Sequence, residues 1–333
     1  MIDYVSLRKN IEIPTNFFSP MMWKQSQTDD GQYFFWRTVR GVKLKYYVDT
    51  QSFTIKGKIL MFLYDTQVQN LDDIYGGNKE QFISEFNAAL NTLFPSPILD
   101  IHDFTVSRID YCINVETPFV ATYIDFMSRA FRMTNSGNRV NFTDEHELSG
   151  SVYVRTTADY RDNSNKNYTL NFYDKSDRLK YLAAKGVYVN EADWVLASNI
   201  LRLEVQCGHY LIKRQTQKFG ISNTFGELLD YNIAYDSILA AYNRVFKGTE
   251  NADFHTYQNA KNLLKGHPTA QKTLYVATSH NVTGGKYAYG CKQAKQEGIY
   301  PYCFLNKNDP VSCLENPMKR IRKKLSALGV LNS

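Results

Sequence analysis

Six side chains in three short stretches carry the chemistry this sequence offers: Tyr173 with Lys175, Asp110 with Arg108, and Glu204 with Arg202. A phenol is a nucleophile once it loses its proton, two carboxylates are hard-oxygen ligands for a divalent cation, and arginines bind phosphate. Together these are the parts that phosphodiester transfer requires. The same residue types also make cross-strand ion pairs on a half-exposed sheet. Which description applies depends on whether the fold gathers them on one surface.

Period-two alternation says that it can. In the stretch NYTLNFYDKSDRLKYLAAKG, Asn167 to Gly186, Tyr168, Leu170 and Phe172 alternate with Thr169, Asn171, Tyr173 and Lys175, the pattern of a strand with one buried and one open face. Past Tyr173 the period lengthens: Leu179, Leu182 and Ala183 stand at helical spacing, and Gly186 is placed as a stop. FTVSRIDYCINV, Phe104 to Val115, sets Ile109, Tyr111, Ile113 and Val115 against Arg108, Asp110, Cys112 and Asn114. NILRLEVQC, Asn199 to Cys207, sets Leu201, Leu203, Val205 and Cys207 against Arg202, Glu204 and Gln206. If the three strands share an antiparallel sheet, their polar faces form one surface.

The rest of the chain reads as the frame for that surface. MIDYVSL opens with a strand over Ile2 to Leu7, and Tyr33 to Leu63 is strand-like throughout, through LKYYV, a turn at DTQS and FTIKGKILMFL. Helices are expected over Asn78 to Phe94 and, with Thr117 as N-cap and Pro118 at the first position, to about Phe131. SVYVRT, Ser151 to Thr156, is a short strand that adds Arg155 to the phosphate binders, and Thr157 to Lys166 is a loop. This order gives an α+β fold, an antiparallel sheet with helices on one face and the other face free to hold DNA.

After about Arg214 the pattern turns helical. Thr224 and Glu227 have capping-box spacing, and further helices are expected at Asp236 to Phe246, Asp253 to Leu264, Tyr287 to Gln296 and Pro317 to Leu328. The last carries Lys319, Arg320, Arg322, Lys323 and Lys324, a density of charge suited to phosphates. The expected division is therefore a sheet domain with the candidate chemistry at 1–214 and a helical domain, its basic helix suited to DNA, at 215–333.

Bulk properties allow this and narrow it. With 333 residues, 43% of them hydrophobic, the chain can bury a sizeable core, about two domains' worth at ~150 residues each. A net charge of +6 permits a nucleic-acid partner, and 24 tyrosines and 20 phenylalanines supply rings on which unpaired bases stack. Five cysteines without CxxC spacing exclude a disulfide framework and a structural zinc site, which suits a reducing cytoplasm. No signal peptide and no ~20-residue apolar run is present, so a soluble intracellular protein without a membrane partner is expected.

In order along the chain, the opening MIDYVSLR, the hairpin end FTIKG, TVSRID at Thr105 to Asp110, YTLNFYDKSDRL at Tyr168 to Leu179, ILRLEVQ at Ile200 to Gln206 and a basic terminal helix ending in Leu-Gly-Val are together similar to the replication initiators of the filamentous-phage gene II type. That family consists of rolling-circle endonucleases of phages and plasmids. The resemblance implies that Tyr173 is the nucleophile, followed by Lys175, that Asp110 and Glu204 hold Mg²⁺ or Mn²⁺, and that Arg108, Arg202 and Arg155 contact DNA beside the basic helix. It also implies a 5′-phosphotyrosine intermediate at an origin, a free 3′-OH for a host polymerase, a host helicase as partner, and the cytoplasm of a bacterial host. Many such enzymes hold their metal through a His-x-His pair, and all six histidines here are isolated. A third ligand is open among Asn114, Gln206 and His102, and Tyr168 belongs to the buried side of its strand. A conjugative relaxase with the same chemistry and a non-enzymatic DNA-binding protein are the alternative readings.

Overall fold

Runs of β-branched and aromatic residues with alternating burial become strands: β1 Ile2–Asn10, β2 Lys24–Gln27, β3 Tyr33–Val39, β4 Val42–Tyr47, β5 Ser52–Gly57, β6 Thr105–Glu116, β7 Val140–Phe142, β8 Ser151–Thr156, β9 Thr169–Asp174 and β10 Ile200–Gly208. The computed structural model describes residues 1–94, 99–134, 140–142, 151–156, 169–246, 250–277, 285–299 and 304–331. Within them the ten strands form one sheet in the order β2-β3-β4-β5-β1-β6-β10-β9-β8-β7, with all neighbours antiparallel. The expected loop at 157–166 and Tyr168 lie outside the described residues.

Two halves of the sheet meet at β1 and β6. Residues 24–57 make a meander of hairpins, and the β3–β4 connection is a two-residue turn with positive φ at both Arg40 (44°) and Gly41 (78°), the twist-matching geometry for such a loop. In the other half β10 inserts between β6 and β9, pairing Leu203 with Ile113 on one side and with Phe172 on the other. That register puts all the apolar positions of the three strands on one face, as their alternation predicts. Helices Val120–Thr134 and Tyr231–Phe246 cover this face, with the Phe172 and Phe246 rings 5.9 Å apart, and the short helix Phe225–Leu228 joins them where the Tyr111 hydroxyl donates to the Leu228 carbonyl at 2.9 Å.

Several local expectations are corrected. The run after Gly57 is a helix, Ile59–Tyr64, rather than strand; four consecutive buried apolar residues fit either state. The strand stops at Gly57 because its φ of +147° and the Val42 Cα, 2.9 Å from where a Cβ would sit, leave room only for glycine. Thr224 makes no capping bond; its hydroxyl pairs with Ser222 at 2.9 Å. The following long helix begins at Tyr231 rather than Asp236, because Asp230 Oδ1 accepts from the Asn232 and Ile233 amides at 2.7 and 3.3 Å.

The core does not divide near residue 214. Phe225, Ile238 and Tyr242 belong to the same hydrophobic cluster as Ile109 and Leu203, and the C-terminal helix Pro317–Ala327 adds Ile321 and Leu325 to it. Smaller clusters, one built on Ala260, Leu264, Leu274 and Ile299 and one on Val68, Leu179 and Ala197, pack apart from it. Among the described residues, no helix is long and apolar enough to cross a membrane.

Candidate active site on the polar face of the sheet

The register brings most of the expected residues together. Arg202 lies opposite Tyr173 on one side and Asn114 on the other, Glu204 opposite Asn171 and Cys112, and Gln206 opposite Asp110. Since facing residues and those two apart share a side, Tyr173, Asn171, Glu204, Arg202, Asp110 and Arg108 occupy one surface.

At its centre the Tyr173 hydroxyl donates to Glu204 Oε2 at 2.9 Å, while Asn171 Nδ2 donates to Glu204 Oε1 at 3.2 Å. Beside them Arg108 grips Asp110 with two parallel bonds, Nε to Oδ1 at 2.8 Å and Nη2 to Oδ2 at 2.6 Å, and its guanidinium lies 4.7 Å from the centre of the Tyr4 ring. The surface is not the open one expected. Tyr173 is 5% exposed, Glu204 7% and Asp110 2%, and only on the Arg108 side does the cluster reach solvent, with 41% of that side chain accessible.

The cover comes from residues 66–73. Strand β1 starts opposite Tyr111, so the last residues of β6 have no strand beside them there, and the 66–73 segment fills the place: the Val68 carbonyl accepts from Asn114 Nδ2 at 3.0 Å, and Cys112 Sγ lies 3.0 Å from Asn70 Oδ1. Arg202 is consequently an internal clamp rather than a DNA contact. It is fully buried, donating to Asn114 Oδ1 at 2.9 Å, Asp3 Oδ1 at 2.7 Å, Asn70 Oδ1 at 3.2 Å and the Val68 carbonyl.

Lys175 also departs from expectation. Asp174 caps the next helix, Lys175–Ala184, by accepting from the Ser176 amide at 2.8 Å, so Lys175 is the first helical residue and turns inward. Its Nζ is buried without a hydrogen-bond partner, 5.8 Å from the centre of the Tyr173 ring. Burial, with Arg202 and Lys58 adding to it, holds the ammonium well below the usual lysine range. It is no ready source of positive charge for a phenolate. Burial first, then the charge of Glu204, pushes the Tyr173 phenol well above its usual value, with Arg202 opposing. The resting site therefore holds a protonated phenol bonded to a carboxylate.

The remaining expected residues disperse. His102 sits on a turn before β6, packed so closely on Gly226 that a Cβ there would fall 2.1 Å from its ring. Asn114 is committed to Arg202 and Val68. Arg155 lies on β8 opposite Thr169, and its side chain is outside the described residues. The five cations of the C-terminal helix are engaged within the chain: Lys319 with Asp253 at 2.9 Å, Arg320 with the Glu116 carbonyl at 2.6 Å, Arg322 with the Tyr235 hydroxyl at 3.1 Å, Lys323 with Glu315, and Lys324 with Asp72 and Asp73 at 2.5 and 2.7 Å. They tie the helix down instead of forming a free phosphate-seeking face.

Asp3 and Lys58, 3.2 Å apart, complete the cluster and were not foreseen. For Asp3 the signal lay in MIDYVSL. Buried Ile2, Val5 and Leu7 break strict alternation, and the β1–β6 register shifts between Ile2 and Tyr4, a bulge that puts Asp3 beside Arg202.

Among the described residues no group of three His, Cys, Asp or Glu side chains forms a metal cage. The fit to a hard cation rests on fewer atoms: Asp110 and Glu204 on adjacent strands of one face, and Asn171 Oδ1, a buried acceptor with no partner on the side chain that already touches Glu204. Burial, against the Arg108 bonds and with the charge of Glu204 adding, pushes the Asp110 carboxyl up to about 7. A divalent cation between them would offset the charge of Glu204 that helps to raise Asp110.

A stability test follows from that value. Between about 3.9 in the unfolded chain and about 7 in the folded one, the folded state binds the extra proton, so this group subtracts stability as pH rises through that window. In metal-free buffer the Asp110→Asn protein is expected to lose less melting temperature than the wild type between pH 4 and 7. Parallel curves would show that Asp110 titrates normally.

No family model, curated protein or solved structure matches this chain.

Proposed function

We propose that the chain is a rolling-circle replication initiator of a phage or plasmid, a nuclease that cuts and rejoins one DNA strand through Tyr173 in the cytoplasm of a bacterial host. The observation that supports this most directly is the Tyr173 hydroxyl bonded to Glu204 at 2.9 Å, with Asp110 and Arg108 on the same face.

In this reading Glu204 Oε2 receives the phenol proton as Tyr173 Oη attacks phosphorus. The P–Oη bond forms, the bond from phosphorus to the 3′ oxygen breaks, and that oxygen leaves as a 3′-OH after taking a proton from water. The product is a 5′-phosphotyrosine whose stored phosphodiester energy allows resealing by the reverse attack. The 3′-OH is then the primer for a host polymerase, with a host helicase opening the duplex. Asp110 gives up its proton near neutral pH and, with Glu204 and Asn171 Oδ1, would hold Mg²⁺ or Mn²⁺; that ion would offset the charge that builds on the phosphate. Arg108, the exposed partner of Asp110, stands where an incoming phosphate first meets the site.

The test is incubation of the protein with a pool of random-sequence single-stranded oligonucleotides in Mn²⁺, followed by denaturing electrophoresis and peptide mapping. A DNA-bearing peptide containing Tyr173, absent when EDTA is added, is expected. Absence of any covalent complex, or an adduct on a different tyrosine, overturns the assignment.

A further inference from the structure

The half of the sheet formed by β2 to β5 has a polar face of its own, and the proposed chemistry does not use it. The register runs Lys24–Trp36–Lys45–Thr54–Arg8 along one row, and Lys43–Lys56–Ser6–Arg108 along the next. Both rows lie on the side of the sheet that carries Asp110, because Ser6 faces Arg108 and Tyr4 faces Asp110. Lys24, Lys43, Lys56 and Arg8 are exposed, while Trp36, Lys45 and Tyr47 are half-buried. From β2 to β5 this face carries no carboxylate, and none of these five cations is in an ion pair among the described residues.

Rings are interleaved with the charges. Lys24 and Lys43 lie 5.0 and 5.3 Å from the centre of Trp36, and Lys45 lies 4.2 Å from that of Phe34 and 5.6 Å from that of Tyr47. These contacts hold the ammonium groups over flat aromatic faces. A surface meant only to be soluble would mix charges of both signs and would not need tryptophan. Uncompensated cations alternating with accessible rings complement a chain of phosphates whose bases are unpaired.

We propose that the β2–β5 face is a track for single-stranded DNA, with Trp36 and Tyr47 stacking bases and Lys24, Lys43, Lys56 and Arg8 meeting phosphates. At about 4.8 Å per strand, the row from Lys43 on β4 to Arg108 on β6 spans roughly 14 Å and ends at the Arg108–Asp110 pair. The track therefore delivers a flanking segment of the strand to the proposed cleavage site. The choice of DNA rests on that site's reading; the chemistry of the track stands on its own residues.

The experiment uses the full chain and oligo(dT), with tryptophan fluorescence and salt-dependent affinity as readouts separate from adduct formation. Binding is expected to quench fluorescence in the wild type, and Trp36→Phe is expected to lose most of that quenching. The combined variant Lys24→Ala, Lys43→Ala, Lys56→Ala alters exposed side chains only. It should lower the slope of log K against log salt by about 2, at roughly 0.7 per phosphate contact, while Trp36→Ala weakens binding roughly 5- to 100-fold. An unchanged slope and quenching in these variants overturns the track even if the Tyr173 adduct forms. Equal quenching by inorganic polyphosphate also overturns it, because no base would then be stacking. Quenching and slope changes in a protein that never forms an adduct would support the track and remove the nuclease reading instead.

Discussion

Tyr173→Phe is expected to bind single-stranded DNA as the wild type does and to form no covalent adduct, with strand cleavage reduced about 10⁴-fold or more. Loss of an attacking group is among the largest single effects in catalysis, and what remains comes from binding and charge stabilisation alone. The fold should tolerate the change, because the ring stays in place. Only one bond to Glu204 disappears, and Asn171 still donates to the other oxygen of that carboxylate. The companion Glu204→Gln keeps the shape but cannot take the phenol proton, and a loss of about 10² to 10⁴ is expected, the usual contribution of a positioned base. The measurement is single-turnover cleavage of a labelled oligonucleotide in Mn²⁺, with circular dichroism to confirm folding. Full activity in Tyr173→Phe would move the nucleophile elsewhere. Normal cleavage in Glu204→Gln would leave Tyr173 as nucleophile but deny the proton route.

The faces of β6, β9 and β10 were legible because side-chain direction in a strand has a period of two, and three independent alternations point to one register. The pairs Arg202–Tyr173 and Gln206–Asp110 then follow from antiparallel geometry. What alternation cannot show is whether another segment lies on top. Residues 66–73, TQVQNLDD, carry no periodicity, yet their carbonyls and side chains hold Arg202 and Asn114 and turn a supposed DNA surface into an interior. Charge runs mislead for a related reason. Five cations on one helix look free in sequence, whereas Lys319 and Lys324 meet carboxylates at Asp253 and Asp72, far away along the chain. The alternation of Lys43, Lys45 and Tyr47 within VKLKYY marks one solvated face, but which rings and cations share it depends on partner strands that alternation alone does not name. Packing across residue 214 is hidden from the sequence in the same way. Helix Tyr231–Phe246 covers Phe172, so a fragment ending there would expose the core face instead of isolating a catalytic unit.

Arg202 provides the second large effect, on stability. Its guanidinium is fully buried and joins β10 to β1, β6 and the 66–73 segment through Asp3, Asn114, Asn70 and the Val68 carbonyl. Removing it leaves Asp3 with Lys58 as its remaining ion-pair partner and takes the buried donor from Asn114, Asn70 and the Val68 carbonyl, a cost of about 3–5 kcal/mol for a broken buried charged network. Arg202→Met keeps much of the volume but none of the five donors, so a loss in that range is expected in urea or guanidinium unfolding at neutral pH. Arg202→Lys should recover little, because a point charge cannot reach four acceptors arranged around a planar fork. The acid limb carries a separate signature. Burial would push the Asp3 carboxyl up, but Lys58 and Arg202 outweigh it and hold Asp3 well below the usual range. A depressed carboxyl contributes stability above its unfolded value of about 3.9, and that contribution is lost as pH falls from there through its folded value. With Arg202 gone, the wild-type decline below pH 4 becomes shallower, and the two proteins converge in stability as pH falls. In the double variant Asp3→Asn, Arg202→Met part of the lost stability should return, since the buried Asp3 carboxylate is gone and the Lys58 ammonium it leaves behind is partly exposed to water. A loss under about 1 kcal/mol in Arg202→Met, the size of a surface pair, would mean that water reaches the guanidinium, and the polar face would then be open along its whole length.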